Sequence, residues 1–259
     1  MPAIGTLFDL TGKTAIITGS TKGIGKAIAE QFAEHGARVV ISSRKPGPCE
    51  EVAAAINAKH KPGTAIAIPA NISSRDDLTR LVNETTASFG KIDILVCNAA
   101  SNPYYGPMSG ITDEAFAKIL SNNIISNNTL ATLVAPQMAE RKDGAIIIIS
   151  SIGGLRASTV IGAYCVSKAA DVQLARNLAA ELGPNGIRVN CISPGLVKTD
   201  FAKALWDDPE TKEQREEETP LRRIGEPNDI AGAAVMLASR SGAWLTGQNI
   251  VVDGGVTAV

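Results

Sequence analysis

Thr14-Ala15-Ile16-Ile17-Thr18-Gly19-Ser20-Thr21-Lys22-Gly23-Ile24-Gly25, running on into Ala27-Ile28-Ala29, decides the fold. Residues 14–17 are apolar on both alternating faces, as in a strand buried on both sides. Residues 18–25 form a glycine-rich turn that opens a helix. Strand, glycine turn and helix amino end together make a cradle for a pyrophosphate, because the first amide groups of a helix lack partners within it and face an anion. The glycines at 19, 23 and 25 are spaced three then one, not in the commoner one-then-two pattern.

Outward from this unit, short apolar segments alternate with helical ones. Residues 38–42, 64–69, 92–97, 145–149, 188–193 and 248–252 read as further strands. Helices are predicted over 50–59, 74–89, 112–121, 123–140, 164–182 and 227–239. Such alternation with short connections predicts one α/β domain over 1–259: a Rossmann fold with a seven-stranded, doubly wound parallel sheet and helices on both faces.

Composition narrows the function. The chain has 259 residues, 44% hydrophobic and 20% charged, with a formal net charge of −1, so it can bury one α/β core and has no basic block for nucleic acid. Cys49, Cys97, Cys165 and Cys191 are scattered and read as reduced core thiols, not as a disulfide or metal framework. His35 suits the carboxyl end of the first helix before Gly36, and His60 lies in a turn. Neither is placed as a catalytic base or a ligand, which disfavours zinc chemistry and a Ser-His hydrolase. No apolar run approaches the ~20 residues of a membrane span. The amino end does not read as a signal segment, and Thr257-Ala258-Val259 is not a peroxisomal address, so a cytoplasmic location is expected.

Two polar groups fall where such a sheet places its site. Ser151 follows the apolar run 145–149 at a strand's carboxyl end, the edge where open α/β sheets bind ligands. Tyr164 and Lys168 are four apart on a helix, one turn from each other on one face. A phenol titrates near ~10 when unperturbed. A neighbouring ammonium is expected to lower that toward working pH, giving a group that exchanges a proton with a carbonyl or alcohol oxygen.

These motifs resemble the classical short-chain dehydrogenase/reductase family, and the resemblance covers essentially the whole chain. The family pattern Gly-x-x-x-Gly-x-Gly, Asn-Ala-Gly, Asn, Ser, Tyr-x-x-x-Lys and Pro-Gly falls in order on Gly19/Gly23/Gly25, Asn98-Ala99-Ala100, Asn123, Ser151, Tyr164/Lys168 and Pro194-Gly195. Ala100 departs from the family's glycine. Asn98-Ala99-Ala100 followed by Asn102-Pro103-Tyr104-Tyr105-Gly106, with Leu205-Trp206 later, is similar to the carbonyl reductase and NADP-retinol dehydrogenase subgroup. The resemblance implies that Ser151 holds a carbonyl oxygen, Tyr164 gives it a proton, and Lys168 tunes Tyr164 and bonds the nicotinamide ribose. It also implies that Asn123 keeps a water chain connected to Lys168, that the Asn98 and Ala99 stretch lines the cofactor, and that Thr199 bonds the carboxamide. For Pro194, Gly195 and Val197 the cofactor reading stands beside that of a strand-end turn. The cradle comprises Gly19, Ser20, Thr21, Lys22, Gly23, Ile24 and Gly25.

Cofactor choice is read at the end of the second strand. An acid there would accept from ribose hydroxyls and repel a 2′-phosphate, but Ser42-Ser43-Arg44-Lys45 has none. Ser43 and Arg44 can bind a phosphate, and Lys22 is expected to approach the same corner, which favours NADP(H). Asn71-Ile72 replaces the family's Asp-Val at the adenine, and an asparagine carbonyl can still accept from the adenine amino group.

Residues 199–220 read as a lid whose apolar side carries Phe201, Leu205 and Trp206, with an ordinary amphipathic helix as the other reading. Tyr104, Tyr105 and Leu155 add apolar wall, and Arg156 is a carboxylate anchor or a solvated loop residue. The expected substrate is a small apolar or aromatic ketone, aldehyde or dicarbonyl. A 3-oxoacyl thioester reductase, a hydroxysteroid dehydrogenase and a redox-inactive NADP(H) sensor or scaffold are the alternatives. Leu130, Leu133, Val134, Val172, Leu174 and Leu178 give helices 123–140 and 164–182 apolar residues beyond the sheet-facing side; the resemblance implies that these helices pair across a two-fold axis, commonly in tetramers, so a homotetramer is expected.

Overall fold

A computed structural model describes residues 6–259. The strands are β1 (Thr14–Thr18), β2 (Arg38–Ser42), β3 (Ala65–Ala67), β4 (Ile94–Cys97), β5 (Gly144–Ile149), β6 (Ile187–Pro194) and β7 (Asn249–Val252). All pair in parallel, in the order β3-β2-β1-β4-β5-β6-β7. The order runs outward in one direction through β2 and β3 and in the other from β4, so β1 and β4 flank the switch point where such sheets take ligands.

Successive side chains of each strand enter opposite layers, which is why the strand sequences are apolar throughout. Ile17, Ile41, Val96 and Ile147 pack with Phe32 of α1 (Gly23–Glu34), Val52 of α2 (Pro46–Lys59) and Ile230 of α8 (Pro227–Ala238). Ile16, Val40, Leu95 and Ile146 pack with Leu81 of α3 (Arg75–Phe89), Leu130 of α5 (Ser126–Arg141) and Val172 of α6 (Gly162–Leu182).

Several boundaries depart from the sequence expectation. Helix α2 begins at Pro46, whose fixed φ suits a first helical turn. Strand β3 is trimmed to three residues. The two helices expected over 112–121 and 123–140 are one continuous run: α4 (Asp113–Leu120) passes through a π turn at Ser121–Ile125 into α5. A π turn widens the helix and loosens its hydrogen bonds, and here side chains take up the slack. Ser126 Oγ donates to the Asn122 carbonyl at 2.5 Å and Asn127 Nδ2 to that of Asn123 at 2.5 Å.

Below the opposite edge of the sheet, buried Asp93 accepts from the backbone amide of Thr14 at 2.8 Å and pairs with Lys91 at 3.1 Å. It thereby fixes β1 against the start of β4. Asp93→Ala leaves a fully buried amide unpaired and is expected to cost about 2–3 kcal/mol, read as a fall in the urea midpoint with an unchanged slope.

Candidate active site

The glycine turn is shaped for close approach. A Cβ on Gly25 would stand 2.5 Å from both Asn98 Nδ2 and the Gly19 carbonyl oxygen, and Gly19 has φ +66°. Neither position accepts another residue without moving the backbone. No side chain caps α1, and its first turn carries no acid, so its amino end is open to an anion. These features fit a dinucleotide pyrophosphate.

Several expected cradle residues work from behind. Ser20 is fully buried; its hydroxyl donates to the Ile17 carbonyl and accepts from the Ser42 amide, tying β1 to β2. Asn98 Nδ2 donates to the carbonyls of Thr18 and Gly19 at 2.9 and 3.2 Å, so the Asn98 side chain braces the turn. Thr18 Oγ1 accepts the amides of Asn98 and Ala99. Lys22, expected at the β2 corner, pairs through its Nζ with Asp200 at 3.0 Å. That corner carries Ser43 and exposed Arg44. The pair is mostly solvent-exposed and therefore weak, open to displacement by a phosphate. The Asn71 carbonyl oxygen accepts the Ser73 amide at 3.1 Å and keeps one lone pair free, with Ile72 beside it half-buried. Thr21 and Ile24 line the turn half-buried, and the Thr199 methyl lies against Gly23. Gly195 sits under the Asp253 backbone, where a Cβ would approach to 2.8 Å, and Val197 bridges Gly225. Both have a packing reason of their own.

Ser151, Tyr164 and Lys168 do converge. Ser151 caps the short turn after β5, its Oγ accepting the Gly153 amide at 3.0 Å, and stands near enough to the Tyr164 phenol to favour its ionised form. Lys168 Nζ lies 5.5 Å from the Tyr164 ring centre and donates to the Ile149 carbonyl at 2.8 Å and to Asp171 at 3.0 Å. Asn123 is fully buried; its amide accepts from the Ser101 backbone and donates to Ser167, whose hydroxyl donates to the Tyr164 carbonyl. The π turn thus aims Asn123 at the Tyr164 turn of α6.

The expected lowering of the Tyr164 pKa is not met. Burial raises it, and the Lys168 charge and the Ser151 side chain only partly offset that. Asp171, paired with Lys168 at 3.0 Å, acts on the phenol in the same direction as burial, though less strongly. Asp171 and Asn127 were not among the expected site residues. The signal was local: an acid three residues after Lys168 in an otherwise apolar stretch, and an asparagine four after Asn123.

The segment after β6 forms a short helical turn at Asp200–Leu205 and then α7 (Pro209–Glu218), which buries no side chain. Phe201 stands 6.0 Å from Tyr164 between ring centres, tilted by 42°. Trp206 Nε1 donates to the Thr199 carbonyl, and Lys198 Nζ lies 5.8 Å from its ring centre. Leu155, Leu205, Tyr105 and Phe201 are exposed, as is Arg156. Tyr104 spends its hydroxyl on its own loop, donating to Pro107, so only its ring is left for a wall. The loop itself is tied to the start of α6 through Gly106 and Ile161.

A dinucleotide cradle beside a Ser-Tyr-Lys set at the carboxyl edge of a parallel sheet defines an oxidoreductase. A family model described as Enoyl-(Acyl carrier protein) reductase matches residues 19–257. Dehydrogenase/reductase SDR family member 4 of Oryctolagus cuniculus is 41% identical over 95% of this chain and 94% of its own length; the Homo sapiens counterpart is 40% identical over 95% and 88%. The chain belongs to the short-chain dehydrogenase/reductase family. Among solved structures, a 7α-hydroxysteroid dehydrogenase complexed with NADH and 7-oxo glycochenodeoxycholic acid is similar at TM-score 0.93 and 37% identity, over 98% of both chains. A gluconate 5-dehydrogenase of Burkholderia cenocepacia in complex with NADP and tartrate is similar at TM-score 0.93 and 30% identity, over 99% and 100%.

Tyr164→Phe removes the phenol that reaches Ser151 while leaving the packing of α6. Turnover is expected to fall by at least ~10²-fold, the lower range for a positioned acid, with binding of the reduced nicotinamide cofactor by fluorescence titration little changed.

Proposed function

We propose that this protein uses NADPH to reduce apolar or aromatic ketones, aldehydes or vicinal dicarbonyls, as in the carbonyl reductase and NADP-retinol dehydrogenase subgroup. The observation that carries the reading is the convergence of Ser151, Tyr164 and Lys168 beside an apolar wall, with Arg44 and no acid at the end of β2. The cofactor, held by the glycine turn, Ser43 and Arg44, Asn71-Ile72, the 98–99 backbone, Lys168 and the 194–199 segment, supplies hydride when bound. Ser151 holds the carbonyl oxygen, Tyr164 donates a proton to it, and Lys168 stabilises the phenolate left behind. A phenol kept above its ordinary pKa by burial stays protonated through neutral pH, which suits the reductive direction.

Residues 199–220 act as a lid: Phe201 already faces Tyr164, and Leu205 and Trp206 complete an apolar side with Leu155 and Tyr105. Such a wall gains by burying apolar area and gives sugar hydroxyls no partners. This favours the kind of substrate in the 7α-hydroxysteroid dehydrogenase complex over a sugar acid, so a hydroxysteroid dehydrogenase is the second reading. We further propose a cytoplasmic homotetramer. Four free buried thiols suit a reducing compartment. Leu130, Val134, Val172 and Leu178 lie in the core of the chain, because both helices sit flush on the sheet; Leu133 and Leu174 are half-buried. The faces left for pairing therefore carry Ile125 and Val166.

NADPH is expected to exceed NADH in kcat/KM, and Arg44→Ala to erode that preference by roughly ten- to hundredfold, the range of one charge-assisted hydrogen bond. Equal efficiency with both cofactors in the unaltered enzyme would contradict the assignment. On a panel of aryl ketones, small aliphatic carbonyls and polyols, Trp206→Ala is expected to raise KM for the aryl ketones by roughly ten- to hundredfold, the cost of uncovering a large apolar side chain. Small aliphatic carbonyls should be nearly unchanged; an equal effect on both classes, or a polyol as best substrate, removes the apolar-wall reading.

A further inference from the structure

One buried carboxylate has no part in the chemistry above. Asp171 is 0% exposed; one oxygen accepts from Lys168 Nζ at 3.0 Å and the other from Asn127 Nδ2 at 3.0 Å. The same Asn127 amide donates to the Asn123 carbonyl at 2.5 Å. A carboxylate in such a place is costly, since desolvating a buried ion pair commonly outweighs its attraction, and an apolar residue would stabilise the fold at least as well. Burial raises the Asp171 pKa, the Lys168 charge and the hydrogen bonds from Lys168 and Asn127 oppose that, and its surroundings leave it one ionic partner. Lys168 and Tyr164 face it from α6, Asn127 from α5, Cys97 from β4 and Cys191 from β6, the last donating its thiol to the Asp171 carbonyl at 3.4 Å. Arg176 of α6 is more distant and exposed, acting on Cys191, and Cys165 adjoins Tyr164. Burial pushes the Cys97, Cys165 and Cys191 thiols up, so all three are neutral. Burial also opposes the Lys168 ammonium, yet Asp171 and Tyr164 hold it above the ordinary lysine value.

We propose that Asp171, fixed by Asn127, is a positioning residue for the reaction: it balances the Lys168 ammonium so that Tyr164 keeps its proton, and extends carbonyl reduction toward alkaline pH. Together with Asn127 it also stands between Lys168 and the Asn123 carbonyl, where family resemblance assigns a water chain. The inference rests on Tyr164 as the proton donor. Without the carboxylate, the ammonium acts on the phenol unopposed and favours the phenolate. The alkaline limb of reduction, which needs the phenol, then moves to lower pH. So does the onset of alcohol oxidation, which needs the phenolate.

The chain has three tyrosines, so replacing Tyr104 and Tyr105 by phenylalanine leaves Tyr164 as the sole source of tyrosinate absorbance. In that background Asp171→Asn is expected to lower the Tyr164 midpoint by about one unit or more. The alkaline limb of kcat/KM for carbonyl reduction should shift the same way in the otherwise unaltered enzyme carrying only Asp171→Asn. Asp171→Ser, smaller and open to water, is the second variant should the amide not fold. A midpoint unmoved within about 0.3 unit in a variant with the parent far-ultraviolet spectrum overturns the proposal, as does failure of both variants to fold, which makes the role structural. If the unaltered enzyme reduces no carbonyl on the panel, the functional reading fails while the absorbance titration still decides this one.

Discussion

A buried ammonium needs acceptors for its donors, and much of the catalytic edge is arranged around that demand at Lys168, whose side chain is only 3% exposed. The Ile149 carbonyl is available because the ladder of β5 with β4 ends at Cys97 and Ile148. Asp171 comes one helical turn after the lysine on α6. Ser150 donates its hydroxyl to the Lys168 carbonyl at 2.7 Å, clamping the helix to the strand end. With α6 so fixed, Tyr164 is brought to Ser151, and the burial that dries the site also keeps the phenol protonated.

The π turn between α4 and α5 answers the same demand from the other side. A regular helix would present Asn123 one position out of phase, whereas the widened turn lets its amide bond Ser101 and Ser167 at once. The carbonyls it loosens are taken by Ser126 and Asn127, and Asn127 passes the connection to Asp171. The helical run 113–141 and α6 are thereby joined by side-chain hydrogen bonds from Asn123 to Ser167 and from Asn127 to Asp171.

The cofactor edge obeys a different constraint, close backbone approach at the β1–β4 switch point. Gly19 and Gly25 leave space that the Asn98 side chain fills to hold the turn. Ser20 turns inward for the same reason: the turn must be rigid before it can hold an anion, and its nearest anchors are the ends of β1 and β2. What remains exposed to a ligand is chiefly backbone, plus Lys22 and, at the corner of β2, Ser43 and Arg44.

The amino-acid sequence by itself determined the element order, the parallel sheet and the edge that carries the site. Apolar periodicity in 14–17, 38–42 and 145–149 reports burial directly, and the glycines at 19, 23 and 25 report a turn only glycine can make. Ser151, Tyr164 and Lys168 were legible because each lies next to such a signal, at a strand end or one helical turn apart. The tertiary structure decided the polar pairings: Lys22 with Asp200, Ser20 with Ser42, Asn127 with Asp171, and the protonated state of Tyr164. A pattern along the chain records which face a residue buries, but a hydrogen bond or ion pair forms across space. Asn127 and Asp171, 44 residues apart, meet only once α5 and α6 are packed on the same face of the sheet.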